Sequence, residues 1–193
     1  MATTEILLAG FGGQGILFAG KILAYCGLMD NKELSWLPSY GPEMRGGTAN
    51  CQVVVSSKEV SSPLVTEPTS LIALNKPSLD KFAPWVKRGG LIIYNSSLIE
   101  SPPERTDVRV LAVPANRVAN ELGDVRIANM VALGAYLATT RVVGTDTVLD
   151  AMKRVLPERR HNLIPLNRQA LARGIEIASV WHSRDQGEVS GAQ

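Results

Sequence analysis

Two glycine-rich stretches hold the residues of this sequence that are best suited to bind an anion. The first, GFGGQG at residues 10–15, matches the GxGxxG pattern and lies between a strand-like run and a helix-like run. Glycines let the backbone approach a phosphate closely, and the unpaired N–H groups at the start of a helix favour negative charge. This loop is therefore a candidate anion-binding loop.

This first loop leaves several interpretations open. A nicotinamide dinucleotide requires an acidic residue about 20 positions on, at the end of the second strand, to bind the ribose. The predicted second strand, residues 33–37, ends in apolar residues, while Asp30 and Glu33 lie before it or at its start. A nicotinamide cofactor is therefore disfavoured. The remaining interpretations are a tight structural turn, a site for another phosphate-bearing ligand, and a contact with a partner subunit.

The second stretch, SYGPEMRGG at residues 39–47, is the most unusual in the chain. Its three glycines and one proline define a specific backbone path, and Arg45 presents a planar fork that suits a carboxylate or a phosphate. Arg45 is therefore a candidate ligand-binding residue. A contact between Arg45 and Glu43, or a bond from Arg45 to a backbone carbonyl, would instead make the loop structural.

The elements around these loops alternate between strands and helices at first, and helices dominate later. The predicted strands are residues 5–9, 33–37, 48–57, 70–74, 91–95 and 108–113. The predicted helices are residues 15–28, 77–86, 114–122, 128–139, 146–156 and 167–181. This order predicts a three-layer, Rossmann-like α/β domain with a mostly parallel sheet and a helical C-terminal part. We expect one domain over residues 1–182 and a flexible tail over residues 183–193.

The predicted topology brings polar residues to one edge of the sheet. Both glycine-rich loops should lie near the carboxyl ends of adjacent strands, where open α/β sheets bind ligands. Asn75 and the Asn-Ser-Ser run at residues 95–97 should end strands at the same edge. Such residues are more often helix caps or turn residues than ligand contacts. The helix over residues 146–156 should be capped by Thr145 or Asp146.

Composition excludes several classes of function. The 193 residues are 45% hydrophobic and carry a net charge of +2, which suits one globular domain and gives no electrostatic case for binding nucleic acid or a membrane. The RRH run at residues 159–161 is expected to be a solvated surface segment. No leader peptide and no apolar run of membrane-spanning length is visible, so we expect a cytoplasmic protein.

The two cysteines and two histidines predict no metal site. Cys26 and Cys51 form no CxxC pair, and both should be small core residues in a reducing compartment. A [4Fe–4S] cluster normally takes four cysteine ligands. The spacing of the cysteines with His161 and His182 matches no zinc pattern, and neither histidine is assigned a catalytic role.

Four motifs occur in order along the chain: GFGGQGI at 10–16, SYGPEMRGGTANCQVVVSS at 39–57, LIALNKPSLDKF at 71–82 and LIIYNSSLI at 91–99. Together they resemble the gamma subunit of 2-oxoacid:ferredoxin oxidoreductases, a domain that also occurs fused within longer pyruvate:ferredoxin oxidoreductases. The SYGPEMRGG form is most similar to the 2-oxoglutarate and branched-chain 2-oxoacid members. Indolepyruvate enzymes have a related subunit.

The resemblance implies one subunit of an enzyme that oxidatively decarboxylates a 2-oxoacid, forms an acyl-coenzyme A and passes electrons to ferredoxin. In this family thiamine diphosphate, with magnesium, lies between alpha and beta subunits. Iron–sulfur clusters lie in the beta subunit or in a ferredoxin-like delta subunit. This sequence has too few cysteines for a cluster, and its Gly123-Asp124 pair lacks the continuation of a GDG diphosphate motif.

The resemblance also implies a role for the two loops. A gamma subunit is expected to help hold coenzyme A and to pack against the alpha subunit. By motif position, the residues expected at the coenzyme are Gly12, Gly13, Gln14, Gly15, Arg45, Gly46 and Gly47. The same residues could instead shape a subunit interface, which would make the chain a non-catalytic scaffold. The isolated chain is expected to be inactive, and a stand-alone nucleotide-binding dehydrogenase is the least favoured alternative.

Overall fold

A six-stranded sheet organises the part of the chain that the computed structural model describes, residues 3–39 and 48–190. The strands are β1 (Thr4–Phe11), β2 (Glu33–Pro38), β3 (Thr48–Ser56), β4 (Ser70–Ala73), β5 (Leu91–Asn95) and β6 (Arg109–Val113). The α-helices are α1 (Ile16–Met29), α2 (Lys76–Phe82), α3 (Ala115–Glu121), α4 (Ala128–Thr140), α5 (Thr147–Val155) and α6 (Ile164–Ser190). Short 3₁₀ turns follow α2, precede α4 and precede α6.

The strand order across the sheet is β2-β3-β1-β4-β5-β6. Strands β1, β4, β5 and β6 run parallel, which confirms the predicted α/β class with a mostly parallel sheet. Strand β3 is antiparallel to both β1 and β2, and its first residue, Thr48, pairs with Phe11 at the end of β1. The expectation that the two glycine-rich loops follow adjacent strands is therefore wrong, because β3 lies between β1 and β2.

Side chains of the central strands alternate between two cores on opposite faces of the sheet, as the period of a strand requires. In β1, Ile6 and Leu8 point into one core, and Leu7 and Ala9 point into the other. The larger core includes side chains of α1, α3, α4, α5 and α6. The smaller core is closed by α2 and the 3₁₀ turn that follows it. The result is the predicted three-layer arrangement.

Helix α4 is held against α6 by close backbone contact. A Cβ atom on Gly134 would lie 2.1 Å from the Leu171 carbonyl oxygen, and one on Gly174 would lie 2.0 Å from the Val131 carbonyl oxygen. Only glycine leaves room for the two backbones at these crossing points. This packing fixes α4 in place, and the first turn of α4 lies beside the start of α1.

Several predicted boundaries change for identifiable physical reasons. The predicted helix over 77–86 ends at Phe82 and continues as a 3₁₀ turn, Ala83–Trp85, because Pro84 has no N–H for a helical bond. Asp146, one of the two residues expected to cap α5, occupies the N-cap position, but its side chain makes no capping bond. The Thr147 hydroxyl instead donates to the Gly144 carbonyl at 2.7 Å.

The last helix is longer than the apolar pattern predicts. It begins at Ile164 and continues past Trp181 to Ser190. The division into a domain over 1–182 and a flexible tail stays a prediction. Among the helices of residues 3–39 and 48–190, none combines the length and apolar character needed to cross a bilayer.

Candidate functional site

The first glycine loop forms a compact turn at the carboxyl end of β1, in the centre of the sheet. The Gln14 amide N–H donates to the Phe11 carbonyl at 3.2 Å, and the Gln14 side-chain Oε1 accepts from the Phe11 N–H at 2.6 Å. The Gln14 Nε2 donates to the Leu74 carbonyl at 3.3 Å, which ties the loop to the end of β4. Gln14 thus stabilises the loop through hydrogen bonds to Phe11 and Leu74.

Several backbone N–H groups of this loop have no acceptor among the described residues. In the part of the chain that the structure describes, the N–H groups of Gly12, Gly13 and Gly15 donate to no acceptor. Helix α1 begins directly after Gly15 without a side-chain cap and without an acidic residue in its first turn. These amides and the positive end of the helix dipole together suit a phosphate or another anion.

The loop depends on left-handed backbone at two glycines. Gly13 has φ 95° and Gly15 has φ 72°, a region that residues with a Cβ rarely adopt. Apart from Gly13 and its two chain neighbours, no described residue has an atom within 4 Å of the Cβ position at Gly13, so the constraint there is the backbone alone. At Gly15 a Cβ would lie 2.3 Å from Nδ2 of Asn129, so a side chain there would also require the Asn129 amide to move.

Asn129 is a site residue that the sequence pattern does not reveal. It lies in the first turn of α4, is 4% exposed, and donates from Nδ2 to the Gly15 carbonyl at 2.9 Å. Its Oδ1 is buried and has no hydrogen-bond partner among the described residues. The one available signal is a single amide side chain inside the apolar run ANMVALGA, which helical periodicity alone assigns to the core.

Asparagines at the neighbouring strand ends have structural roles. The Asn75 Oδ1 accepts from the Ser78 N–H at 2.8 Å and so caps α2. The Asn95 Nδ2 donates to the Asn116 Oδ1 at 2.7 Å, and its Oδ1 accepts from the Ala115 N–H at 3.1 Å. Asn95 Nδ2 also lies 3.5 Å from the Leu74 carbonyl, so Asn95 joins the ends of β4, β5 and β6. These bonds favour the cap and turn interpretation of both asparagines over a ligand contact.

The second glycine-rich loop falls outside the described residues from 40 to 47. Arg45, Gly46, Gly47 and Glu43 therefore have no structural account, and their ligand-binding role stays a prediction. Its flanking residues are described. The Ser39 N–H donates to the Asn50 carbonyl at 2.9 Å, and Thr48 pairs with Phe11. Both ends of the second loop thus lie at the same sheet edge as the first loop.

The strand arrangement does not fit a nicotinamide dinucleotide. Strand β2 ends at Leu37 and Pro38 and is separated from β1 by β3. Glu33 lies at the opposite end of β2, and Asp30 accepts the Gly144 N–H on its Oδ2 at 2.7 Å. No acidic side chain of β2 therefore lies at the carboxyl edge where the ribose would be bound.

The thiols and imidazoles are not placed for chemistry. Burial raises the pKa of Cys26 to about 11 and that of Cys51 to about 12, so both thiols are protonated at neutral pH. His161 places Nε2 3.1 Å from the Lys153 carbonyl and 3.0 Å from the Leu156 carbonyl, which closes the C-terminal end of α5. The described residues contain no group of three or more His, Cys, Asp or Glu side chains that could hold a metal ion.

Comparison with known proteins identifies relatives over most of the chain. The family model described as pyruvate ferredoxin/flavodoxin oxidoreductase matches residues 5–177. The 2-oxoglutarate synthase subunit KorC of Methanocaldococcus jannaschii is 37% identical over 180 residues, which are 90% of this chain and 93% of that protein. The ketoisovalerate oxidoreductase subunit VorA of Methanothermobacter thermautotrophicus is 41% identical over 176 residues, which are 90% of this chain but only 36% of VorA. The chain therefore spans about a third of the length of the VorA relatives.

Solved structures share the fold. The gamma subunit of a keto/oxoacid ferredoxin oxidoreductase from Geobacter sulfurreducens has a TM-score of 0.79 and 33% sequence identity, with 92% of this chain and 99% of that chain covered. A 2-oxoglutarate:ferredoxin oxidoreductase from Magnetococcus marinus, solved with 2-oxoglutarate, coenzyme A and succinyl-CoA bound, has a TM-score of 0.83 at 24% identity. The comparison covers 93% of this chain and 32% of that one, and at this identity it shows the fold alone. The chain belongs to the pyruvate ferredoxin/flavodoxin oxidoreductase family, and its relatives of matching length are gamma-type subunits of 2-oxoacid oxidoreductases.

Proposed function

We propose that this chain is the gamma subunit of a multisubunit 2-oxoacid:ferredoxin oxidoreductase of the 2-oxoglutarate synthase type. The complex converts a 2-oxoacid and coenzyme A to an acyl-coenzyme A and carbon dioxide. One proton and two electrons are released, and the electrons reduce ferredoxin. Within this complex the chain helps to hold coenzyme A. The complex is cytoplasmic in this proposal, in keeping with two reduced, buried cysteines.

The open amides of the first glycine loop carry the proposal for coenzyme A. The coenzyme has a pyrophosphate and a 3′-phosphate, and the N–H groups of Gly12, Gly13 and Gly15 offer donors that no other described group uses. The dipole of α1, a helix of 14 residues, adds a fixed partial positive charge at the same point. Arg45, Gly46 and Gly47 in the second loop would add a cation and further amides, because both ends of that loop lie at the same edge.

The names of the relatives support the reaction. KorC proteins are subunits of 2-oxoglutarate synthases, and VorA proteins are subunits of ketoisovalerate oxidoreductases. The Magnetococcus enzyme was solved with coenzyme A and succinyl-CoA bound, and it contains a region with the fold of this chain. A 2-oxoacid is the substrate class that these relatives share.

Alpha and beta subunits, with a ferredoxin-like delta subunit where present, complete the proposed complex. Thiamine diphosphate, held with magnesium by the partner subunits, supplies carbanion stabilisation, and iron–sulfur clusters in those subunits carry electrons. The two thiols of this chain do not fit a cluster, because both are buried in the hydrophobic core. The proposed contribution of this chain is confined to binding and orienting coenzyme A.

A scaffold role is the second candidate, and exposed apolar side chains favour it. Leu64 is 62% exposed and Trp85 is 42% exposed, and both line a surface cavity of about 550 Å³ together with Val65 and Pro84. Such a patch is typical of a surface that another protein covers. In this second candidate the chain stabilises the complex and binds no coenzyme.

Calorimetric titration separates the candidates. Purified chain, alone and within the reconstituted complex, is titrated with coenzyme A and with NAD as the control ligand. The coenzyme role predicts binding of coenzyme A without binding of NAD, and a marked loss of affinity in Arg45→Ala. Arg88→Ala is the matched control, because its side chain is 90% exposed and lies in the turn before β5, at the opposite sheet edge. Absence of coenzyme A binding by the gamma subunit in the complex would favour the scaffold role, and tight NAD binding would overturn both.

A further inference from the structure

Asn129 joins two parts of the fold that are 114 positions apart in the sequence. It is the second residue of α4, and its Nδ2 donates to the carbonyl of Gly15, the residue that precedes α1. The Gly15 carbonyl also accepts the Ala19 N–H at 3.0 Å, which is the first hydrogen bond of α1. The start of α1 is therefore fixed both by its own first turn and by a side chain from α4.

Fixing the Gly15 carbonyl also fixes a donor of the loop. A trans peptide is planar, and its C=O and N–H point in opposite directions. The Gly15 carbonyl therefore sets the direction of the Ile16 N–H, the first amide of α1. Because that carbonyl is turned toward Asn129, the Ile16 N–H is directed away from α4. The hydrogen bond from Asn129 thus orients the Ile16 N–H, which, like those of Gly12, Gly13 and Gly15, donates to no acceptor in the described part of the chain.

The Oδ1 atom of Asn129 indicates that this residue does more than stabilise the fold. The bond to the Gly15 carbonyl identifies Nδ2 as the donor, so the unpartnered buried atom is the acceptor Oδ1. A buried acceptor without a partner reduces stability. An alanine at this position would remove both the bond and the unpartnered oxygen, and the two effects oppose each other. The stability of the fold therefore gives little reason for an asparagine here.

We propose that Asn129 is a positioning residue that holds the amides at the start of α1 in the orientation that binds the phosphates of the ligand. It acts through Gly15 and does not itself contact the phosphate. Only the identity of the ligand rests on the proposed function. The positioning of the amides follows from the contacts of Gly15 and can be tested without a ligand.

The test compares Asn129→Ala with Asn167→Ala in the full chain. Asn167 is a matched control, because it is also buried and also donates from Nδ2 to a backbone carbonyl, that of Leu163 at 2.8 Å, at the end of the 3₁₀ turn directly before its own helix. Three quantities are measured: the thermal midpoint, the hydrogen exchange of the Ala19 amide, which donates to the Gly15 carbonyl, without ligand, and the affinity for inorganic pyrophosphate and for coenzyme A in the chain and the complex.

We expect Asn129→Ala to keep its thermal midpoint within about 2 °C of the wild type, a change smaller than one kilocalorie would cause. Exchange of the Ala19 amide should become faster in Asn129→Ala alone, because the carbonyl that accepts it is no longer held by Asn129. Affinity for either probe should fall about tenfold, the scale of one misdirected donor. Unchanged exchange of the Ala19 amide would overturn the inference, as would a large loss of stability in Asn129→Ala.

The exchange measurement keeps this inference separate from the proposed function. If wild-type chain and complex bind neither pyrophosphate nor coenzyme A, the proposed ligand is wrong, and faster exchange in Asn129→Ala would still support the positioning of the amides. If the wild type binds and Asn129→Ala binds equally well, the positioning role is wrong while the proposed ligand stands.

Discussion

Replacing Gly15 by alanine tests the account of the first loop most completely. Two separate constraints act at this residue: its φ of 72°, and Nδ2 of Asn129 at 2.3 Å from the Cβ position. A side chain in left-handed backbone costs about 1–2 kcal/mol relative to glycine. The collision adds to this cost, because the Asn129 amide must move and its hydrogen bond to the Gly15 carbonyl, worth about 1 kcal/mol, is lost.

The sum predicts that Gly15→Ala lowers the free energy of unfolding by about 2–4 kcal/mol. At about 2–4 °C per kcal/mol for a chain of this size, the thermal midpoint should fall by about 5–15 °C. Urea unfolding followed by circular dichroism measures the free energy directly. The slope of the unfolding free energy against urea should stay unchanged, because the surface exposed on unfolding does not change.

Gly13→Ala is the matched control. Gly13 has φ 95°, but apart from its two chain neighbours no described residue has an atom within 4 Å of its Cβ position, so alanine there meets the backbone cost alone, about 1–2 kcal/mol. The double variant Gly15→Ala with Asn129→Ala removes the collision partner. Its destabilisation should be about 1–2 kcal/mol less than the sum of the two single variants. The account of Gly15 is refuted if Gly15→Ala is no more destabilising than Gly13→Ala, or if the two substitutions are additive.

Three further predictions concern other parts of the fold. Arg105 donates to the carbonyl of Ala83, in the 3₁₀ turn after α2, and to that of Val86, the residue that follows the turn. Arg105→Ala should therefore lower the free energy of unfolding by about 1–2 kcal/mol in urea, whereas Arg88→Ala, at a side chain that is 90% exposed, should be neutral. Equal effects of the two substitutions would contradict this assignment. Burial raises the pKa of Cys26 to about 11 and that of Cys51 to about 12. Above the ordinary thiol pKa of 9.0 the thiols ionise in the unfolded chain but not in the folded one, so the free energy of unfolding should fall as pH rises. A thiol reagent at pH 8 should label both cysteines only after unfolding. Removing the cap of α2 in Asn75→Ala should cost about 1 kcal/mol without changing coenzyme affinity, and a loss of affinity would show that Asn75 belongs to the site.

Local patterns were sufficient to predict most of the fold. Strands β4 and β5 are buried on both faces, so their sequences, SLIA and LIIYN, read as short apolar runs between turn residues. The GxGxxG pattern locates the loop because the chain needs left-handed backbone at Gly13 and Gly15 to turn from β1 into α1. Both signals depend on residues that are close together in the sequence.

Long-range pairing could not be predicted in the same way. The apolar residues of β3 would be buried equally well at several positions in the sheet. Their pattern therefore does not specify that β3 lies between β1 and β2. Asn129 was missed for the same reason. Its partner, Gly15, lies 114 positions away, and a buried amide in an apolar helix becomes informative only when its neighbour is known.

The central claim is that the first glycine loop binds coenzyme A through its open amides. Hydrogen–deuterium exchange of the reconstituted complex, measured with and without coenzyme A, tests this claim most directly. We expect slower exchange in the peptide covering residues 10–18, where the N–H groups of Gly12, Gly13 and Gly15 donate to no other described residue, and no change at the opposite sheet edge around Arg88. Protection that leaves residues 10–18 unchanged while coenzyme A is bound would contradict it.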